Sequence, residues 1–410
     1  MRHIDTVVIG AGHAGLAMSR CLTDRGRDHV VLERGRLAER WRRERWGSMR
    51  LLTPNWMTRL PGWCYDGYDP DGYMTAEEVV GYMDRYARSF SAPVETETTV
   101  VRVERCADGF LVATDQGTWS ADQVVVATGH CDRPHVPAAA SRLRKSVYQT
   151  TPSAYRNPDL LPDGGVLVVG AAASGAQLAD ELARSGREVV LAVGRHTRLP
   201  RSYRGMDICW WLERLGVLDK TIDEMPDPER ARREPSLQLI GRPDKADLDL
   251  AALQDHGVRL SGRLTGVDGR TVHLGADLGT TTARADAGRR RLLAEIDDYI
   301  DTYRLTTEVV EREPVRPVRT GGEPGRLDLE SEGISTVIWA TGFRRRYSWL
   351  RIPIFDEADE IRHRRGVTPV PGLYVLGLRF QHRRNSSFID GVRHDAEFIA
   401  NHLAALGRRV

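Results

Sequence analysis

Asp5-Thr-Val-Val-Ile-Gly-Ala-Gly-His-Ala-Gly15, with Val30-Val-Leu-Glu33 downstream of it, is the stretch that decides the fold. Asp5 to Ile9 is a short β-branched run that reads as a strand. Ala14 to Asp24 carries helical spacing and Gly26 closes it, so the order is strand, helix, strand. Glycines 10, 12 and 15 fall where the first strand turns into the helix. There Gly10 allows the tight turn, Gly12 lets the backbone approach a pyrophosphate, and Gly15 lets helix and strand pack closely. Phosphates then meet the free N–H groups of the helix N-terminus, which His13 and Ala14 open. Glu33 closes the next strand, with Arg34 after it. A carboxylate at this point accepts hydrogen bonds from ribose hydroxyls and repels a 2′-phosphate, which selects FAD or NAD over NADP.

The same order recurs at Gly165-Val-Leu-Val-Val-Gly170, a helix from Ala176 to Arg184, and Glu188-Val-Val-Leu-Ala-Val193. Its motif is Gly170-Ala-Ala-Ala-Ser-Gly175, with Ala172 in the place of the middle glycine and Ser174 beside the last. No carboxylate ends this strand. It runs instead into Val193-Gly-Arg-His-Thr-Arg198, whose Arg195 and Arg198 suit a 2′-phosphate and select NADPH; a solvated basic loop beside a structural βαβ unit is the alternative. Two further apolar runs end alike, in Ala127-Thr128-Gly129 and in Ala340-Thr341-Gly342, as an internal duplication of parts would give. The chain therefore reads as α/β with two Rossmann-like dinucleotide-binding domains. An FAD domain in two parts, residues 1–150 and 326–410, surrounds an inserted NADPH domain, residues 151–325, which carries a charged and helical insertion near 217–305. Opposite 2′ preferences in one chain suggest a tightly held flavin fed with hydride by an exchanging nicotinamide.

Of 410 residues, 41% are hydrophobic and 28% charged, enough apolar material for more than one core, and a net charge of +2 leaves no basic field for nucleic acid or an anionic membrane. No run approaches the roughly 18 apolar residues of a membrane span. A soluble, cytoplasmic protein is expected. Cys21, Cys64, Cys106, Cys131 and Cys209 form no C-x-x-C pair, so neither a zinc ribbon nor a neighbouring dithiol can be built, and no metal site is expected.

The two glycine motifs, the two Ala-Thr-Gly ends, the segment Trp46-Gly-Ser-Met-Arg-Leu-Leu-Thr-Pro-Asn-Trp56, Tyr155-Arg-Asn-Pro and the C-terminal strand-loop-helix resemble the two-dinucleotide-binding-domain flavoproteins. Within them the chain is most similar to the flavin-containing monooxygenase-like (class B) family, over most of residues 1–215 and 330–405. The resemblance implies that NADPH reduces FAD, that dioxygen adds to the reduced flavin, and that a small organic substrate is oxygenated at nitrogen, sulfur or an activated carbon. At the family's fingerprint positions, Lys145, Val147, Thr151 and Tyr155, only Tyr155 agrees, and the Trp of Baeyer–Villiger enzymes is missing, so carbonyl insertion is not expected.

Site residues follow from the same resemblance. Asn55 is the catalytic candidate, a hydrogen-bond donor beside the flavin, against an ordinary turn role after Pro54. Trp41 and Trp46 join the cofactor contacts, as do Thr128, Gly129, Thr341 and Gly342, and Trp56 walls the substrate pocket, with plain core packing the alternative for Trp46 and for Trp56. Arg201 and Arg204 suit a phosphate or a substrate carboxylate, or else a solvated loop. Asp390 and Gly391, just before a last helix from about Val392 to Leu406, suit the flavin's pyrimidine edge, with helix capping the alternative for Asp390. Asn385, in the polar loop Arg383 to Ser387, faces substrate. His130 either handles protons or is a structural imidazole. The expected partners are a small organic molecule and dioxygen, and a homodimer stays open. Two rival readings are a flavin reductase or dehydrogenase with a non-oxygen acceptor, and a non-catalytic nucleotide-binding protein.

Overall fold

The computed structural model describes residues 1–311 and 314–405; Leu406 and the expected domain limit at 410 lie outside them. Two sheet cores organise the chain, the first mixed, with Gly109–Thr114 antiparallel to both its neighbours, and the second parallel. In the first sheet the order is Val94–Glu95, His29–Leu32, Arg2–Ile9, Gly117–Val126, Gly109–Thr114 and Val100–Cys106, and Leu373–Val375 joins Gly117–Val126 in parallel. Arg2–Ile9 lies between two parallel neighbours, with Val7 opposite both Val30 and Val124. Val7 and Val8 point to opposite faces, and both are fully buried because each face of the sheet is covered. Val8 packs under the helices His13–Thr23, Ala76–Ser89 and Val392–Ala405, through Leu16, Val79 and Ile399. Val7 packs with Phe110, Leu350 and Ile354 on the other side.

The second sheet runs Tyr148–Thr150, Ile334–Trp339, Gly165–Val169, Val189–Ala192 and Arg259–Ser261, all parallel. Two of its strands come from outside the expected limits of 151 and 325. The insertion is therefore wider on both sides, and Thr341 and Gly342 close a strand of the second core. An apolar run such as Thr336–Trp339 reads alike in either sheet, and only its pairing shows which one it joins. The chain crosses between the cores where Arg133–Pro134 pairs antiparallel with Phe343–Arg344.

Within the charged middle, the helix is longer than the Arg289–Ile300 pattern suggested. It spans Leu278–Tyr303 and buries Leu278, Thr282, Ala285, Arg289, Leu293, Ile296 and Ile300, a stripe at spacings of three and four. That stripe meets a third apolar layer, in which Trp211, Leu212 and Leu239 pack with Met57 from the first core and Phe388 from the C-terminal loop. This layer holds the two cores together. No helix among the described residues is long and apolar enough to cross a membrane.

Candidate functional site

Each core ends in a glycine cradle, and the two are built alike. A Cβ on Gly10 would lie 2.8 Å from the Ala127 carbonyl oxygen, and one on Gly15 would lie 1.8 Å from that of Gly10. In the second core the corresponding distances are 2.5 Å from Gly170 to Ala340 and 1.8 Å from Gly175 to Gly170. Gly10 and Gly170 also take φ of +106° and +107°, where L side chains are strained. These four glycines are demanded by backbone meeting backbone. The middle position is different. Gly12 (φ −82°, ψ −175°) and Ala172 (φ −75°, ψ −177°) are both extended, a conformation any residue adopts, and a Cβ on Gly12 would meet nothing within 4 Å. Space is open at Gly12 beside the first helix N-terminus, whose free N–H groups suit a diphosphate, and at the second the Ala172 methyl group takes the equivalent place.

The first cradle is finished by Glu33, which accepts hydrogen bonds from the Ala11 N–H at 2.8 Å and the Gly35 N–H at 3.1 Å. Its remaining lone pairs are available to a ribose. At the first helical residue, burial lowers the His13 imidazole to about 4, so the ring is neutral, and its Nε2 has no hydrogen-bond partner among the described residues. A buried orphan nitrogen at a helix N-terminus fits a ligand carrying its own donors and acceptors. Thr128 and Gly129 form the lip of this cradle, and Thr341 and Gly342 that of the second; Gly129 (φ +74°) and Gly342 (φ +93°) have open space around a Cβ position. Past the second cradle, Arg195 is exposed with no carboxylate in ion-pair range among the described residues, and Ser174 is half-buried in the helix's first turn.

Several expected site residues are instead part of the framework. The Arg198 guanidinium is fully buried between Asp249 (2.8 Å) and Asp286 (2.6 Å), which leaves it no surface for a 2′-phosphate. Arg201 is fully buried too, donating to the Leu52 carbonyl at 2.7 Å and to Asp207, whose other oxygen accepts from the Tyr73 hydroxyl at 2.6 Å. It ties the second core to the first and is not open to substrate. Arg204 lies 3.8 Å from Asp297 of the long helix. The Asn55 amide donates to the Asp69 carbonyl at 2.9 Å and accepts from the Met74 N–H at 2.8 Å, so it clamps its own loop. Trp46 is buried among Tyr155, Leu161 and Val168 in the second core. Asn385 is buried, and its carbonyl oxygen would lie 2.0 Å from a Cβ on Gly391, which explains the glycine there. Asp390 is buried and held through one carboxylate oxygen, Oδ1, by Arg59 at 2.6 Å and Arg393 at 3.2 Å.

Trp56 and Trp41 stay at partly buried positions. Trp56 edges the third apolar layer, 6.0 Å from the Arg59 guanidinium, and Trp41 lies under Arg45 at 4.9 Å. Near the first lip, burial together with Arg379 and Arg345 lowers the His130 imidazole to about 3, so it is neutral at physiological pH and has no imidazolium proton to give. Arg59 was missed by the sequence reading. It donates to both Asp390 and Glu213 of the helix Ile208–Arg214, and nothing local in Thr58-Arg59-Leu60 announces two distant carboxylates.

Behind the Asp390 loop, Asp395 is 2% exposed, and burial pushes its carboxyl up to about 6, opposed by Ser386 and by the Arg383 and Arg365 guanidinium groups. The folded chain therefore binds this proton more tightly than the unfolded chain, whose aspartate titrates near about 4. Between those values the folded state holds more protons, so stability falls as pH rises through the window. Asp395→Asn is expected to raise the thermal midpoint at about pH 7.5 and to leave it nearly unchanged at about pH 4, as read by circular dichroism melts at both values.

A model of the pyridine nucleotide-disulphide oxidoreductase family matches residues 7–213, from the first cradle through the second. The chain belongs to this family. One relative, the uncharacterized oxidoreductase CzcO-like protein of Geobacillus kaustophilus, is 33% identical over 98% of this chain and 99% of its own. Indole-3-pyruvate monooxygenase YUCCA1 of Oryza sativa subsp. japonica is 27% identical over 91% of this chain and 86% of its own. Among solved structures, the flavin-containing monooxygenase from Stenotrophomonas maltophilia matches over 100% of both chains with a TM-score of 0.70 at 19% identity, which shows the same two-cradle fold. As a pyridine nucleotide-disulphide oxidoreductase family member this chain has no disulphide to offer. Cys21, Cys64, Cys106, Cys131 and Cys209 are all free, and burial raises the thiols of Cys21 and Cys209 to about 12, well away from the thiolate form.

Proposed function

We propose that the chain is an FAD- and NADPH-dependent monooxygenase acting on a small organic molecule. The observation that carries this reading is the contrast between two equivalent cradles, one ending in the Glu33 carboxylate and the other in the exposed Arg195 guanidinium. Glu33 suits the ribose of FAD and repels a 2′-phosphate, whereas Arg195 attracts one. Bound there, FAD supplies a ring that takes hydride from NADPH and delivers electrons to dioxygen, one oxygen atom going to the substrate and the other to water. The chain's own part is to hold the two nucleotides by their diphosphates on the two helix N-termini, and to keep His13 and His130 uncharged beside the flavin side. The free cysteines leave no dithiol to carry electrons onward, and oxygen transfer is what the printed name of the rice relative describes for that protein.

The test is to load the purified protein with FAD, supply NADPH under ¹⁸O₂, and offer a panel of thioethers and tertiary amines. Labelled sulfoxide or N-oxide supports the proposal. NADPH consumed with only peroxide released, together with rapid reduction of an artificial electron acceptor, supports a reductase instead. Failure to take up FAD removes both.

Arg195→Ala is expected to weaken NADPH about tenfold or more while leaving NADH within about twofold, because a charge-assisted hydrogen bond to the 2′-phosphate is lost and nothing else changes. Steady-state KM values for the two nucleotides read this directly. Equal losses would assign the 2′ contact elsewhere.

A further inference from the structure

One helix N-terminus is treated differently from the other. At the first cradle no side chain caps the helix His13–Thr23. At the second, the N–H of Ala173, first residue of the helix Ala173–Arg184, donates to the Ser236 hydroxyl at 3.3 Å. Ser236 belongs to the charged middle segment and is 63 residues away in the chain. It is held there on both sides. Leu237–Gln238 pairs in parallel with Thr197–Arg198, just past Arg195, so the segment runs along the same edge as the 2′-phosphate candidate. Gln238 is fully buried and donates to the Ala171 carbonyl at 2.6 Å, inside the glycine loop, while its own Oε1 has no partner among the described residues. Gln177 of the helix donates to the Leu239 carbonyl at 2.7 Å. Upstream, Glu234 accepts from Arg379 through its carbonyl and from Arg384 through its carboxylate at 2.9 Å, which anchors the segment to the first core's C-terminal loop.

A hydroxyl accepts one hydrogen bond and still has a proton to donate. Ser236 uses its acceptor on Ala173 and stands exposed at the mouth of the cradle, where a diphosphate oxygen would sit. Gln238, fully buried against the same loop with its amide on the Ala171 carbonyl, keeps this segment in register across the mouth.

We propose that Ser236 is a diphosphate ligand of the second dinucleotide site, supplied by the segment 234–239 that crosses its mouth and held in register by Gln238. The inference rests on the reading of that cradle as a nicotinamide dinucleotide site. Ser236 donates its O–H to a phosphate oxygen while the Ala173 N–H holds the hydroxyl in place. Since the diphosphate is common to both nicotinamide nucleotides, the residue serves NADP and NAD alike, in contrast to Arg195.

The experiment titrates FAD-loaded wild type, Ser236→Asp and Ser236→Ala with NADP⁺ and with NAD⁺ by calorimetry. Ser236→Asp sets a carboxylate against the diphosphate and is expected to weaken both nucleotides about tenfold or more, and Ser236→Ala to weaken both about threefold. FAD content and melting temperature should stay at wild-type values, because the side chain is exposed. Ser236→Asp binding NADP⁺ within about twofold of wild type would overturn the assignment. Loss confined to NADP⁺ would also overturn it, by placing Ser236 at the 2′-phosphate. A wild type that takes FAD but no NADP⁺ would remove the cradle reading itself, a result distinguishable from either.

Discussion

Asp249→Ala is expected to destabilise the folded chain by about 3–5 kcal/mol, the range for breaking a buried ion pair from one side. Asp249 is 3% exposed and receives Arg198 at 2.8 Å and Arg289 at 3.1 Å, themselves 0% and 6% exposed. Removing one carboxylate leaves two guanidinium groups in the interior, Arg198 with Asp286 at 2.6 Å and the Arg316 carbonyl, and Arg289 with the attraction of Asp247. The same carboxylate also caps the short helix Leu250–Asp255 by accepting from the Ala252 N–H at 2.9 Å, a contribution of about 1 kcal/mol. For a unit of this size such a loss lowers the thermal midpoint by about 10 °C. Asp249→Asn keeps an oxygen for the cap and loses the charge, so its midpoint should fall between wild type and alanine. Thermal melts of the two variants check this. An alanine variant within about 1 kcal/mol of wild type would mean that the guanidinium groups find water or other partners, and that the cluster is not what holds the long helix Leu278–Tyr303 to the second core.

The Arg198 cluster also shows what the sequence makes legible. Both cradles were readable because their glycines answer a local demand: a residue five positions on must pass within contact of Gly10 or Gly170, and no other residue allows it. The strands on either side carried the same kind of signal, since a parallel strand buried on both faces is apolar throughout. Arg198 and Arg201 looked like phosphate ligands because they follow a nucleotide fold and are basic. Arg201 has one near partner, Asp207, but Asp249 for Arg198 and Leu52 for Arg201 lie 51 and 149 residues away, and no local pattern marks such a pairing. Asn55 and Asp390 misled for the same reason. Each is a polar residue at a suggestive place that is tied by a hydrogen bond to a residue folding brings near, Asp69 for Asn55 and Arg59 for Asp390. Domain limits failed differently, because strand membership is decided by pairing, and Ile334–Trp339 would serve either sheet.

The residues that join the halves were invisible in the sequence for a related reason. Arg59 bridges Asp390 and Glu213, and Arg201 bridges Leu52 and Asp207, so the segment from Leu52 to Tyr73 is bonded to the second core at two separate points. A hydride passing between two nucleotides needs their rings held at near-contact distance. Under the proposed hydride transfer, two bridges around one segment would be the chain's means of fixing that separation.

Gly15→Ala should cost the protein its flavin. On helix propensity alone the change would help, since alanine is favoured over glycine in a helix interior by about 1 kcal/mol. Sterics decide otherwise. The new Cβ would lie 1.8 Å from the Gly10 carbonyl oxygen and 3.0 Å from its carbonyl carbon, and the obstacle is backbone that cannot rotate away. The helix His13–Thr23 must therefore shift outward, taking with it the N–H groups that face the diphosphate and loosening Leu16, which is fully buried against the first sheet. Overpacking of this kind costs about 1–3 kcal/mol or more in stability, and the purified variant is expected to be colourless. Gly12→Ala is the matched control. Nothing lies within 4 Å of its Cβ position, and Ala172 fills the equivalent place in the second motif, so stability should hold while FAD affinity drops by the loss of close approach alone. Flavin absorbance per mole of protein, read beside the melting temperature, separates the two. A yellow Gly15→Ala protein with wild-type melting would show that helix and strand can part without disturbing the cradle, and the packing account of the motif would fail.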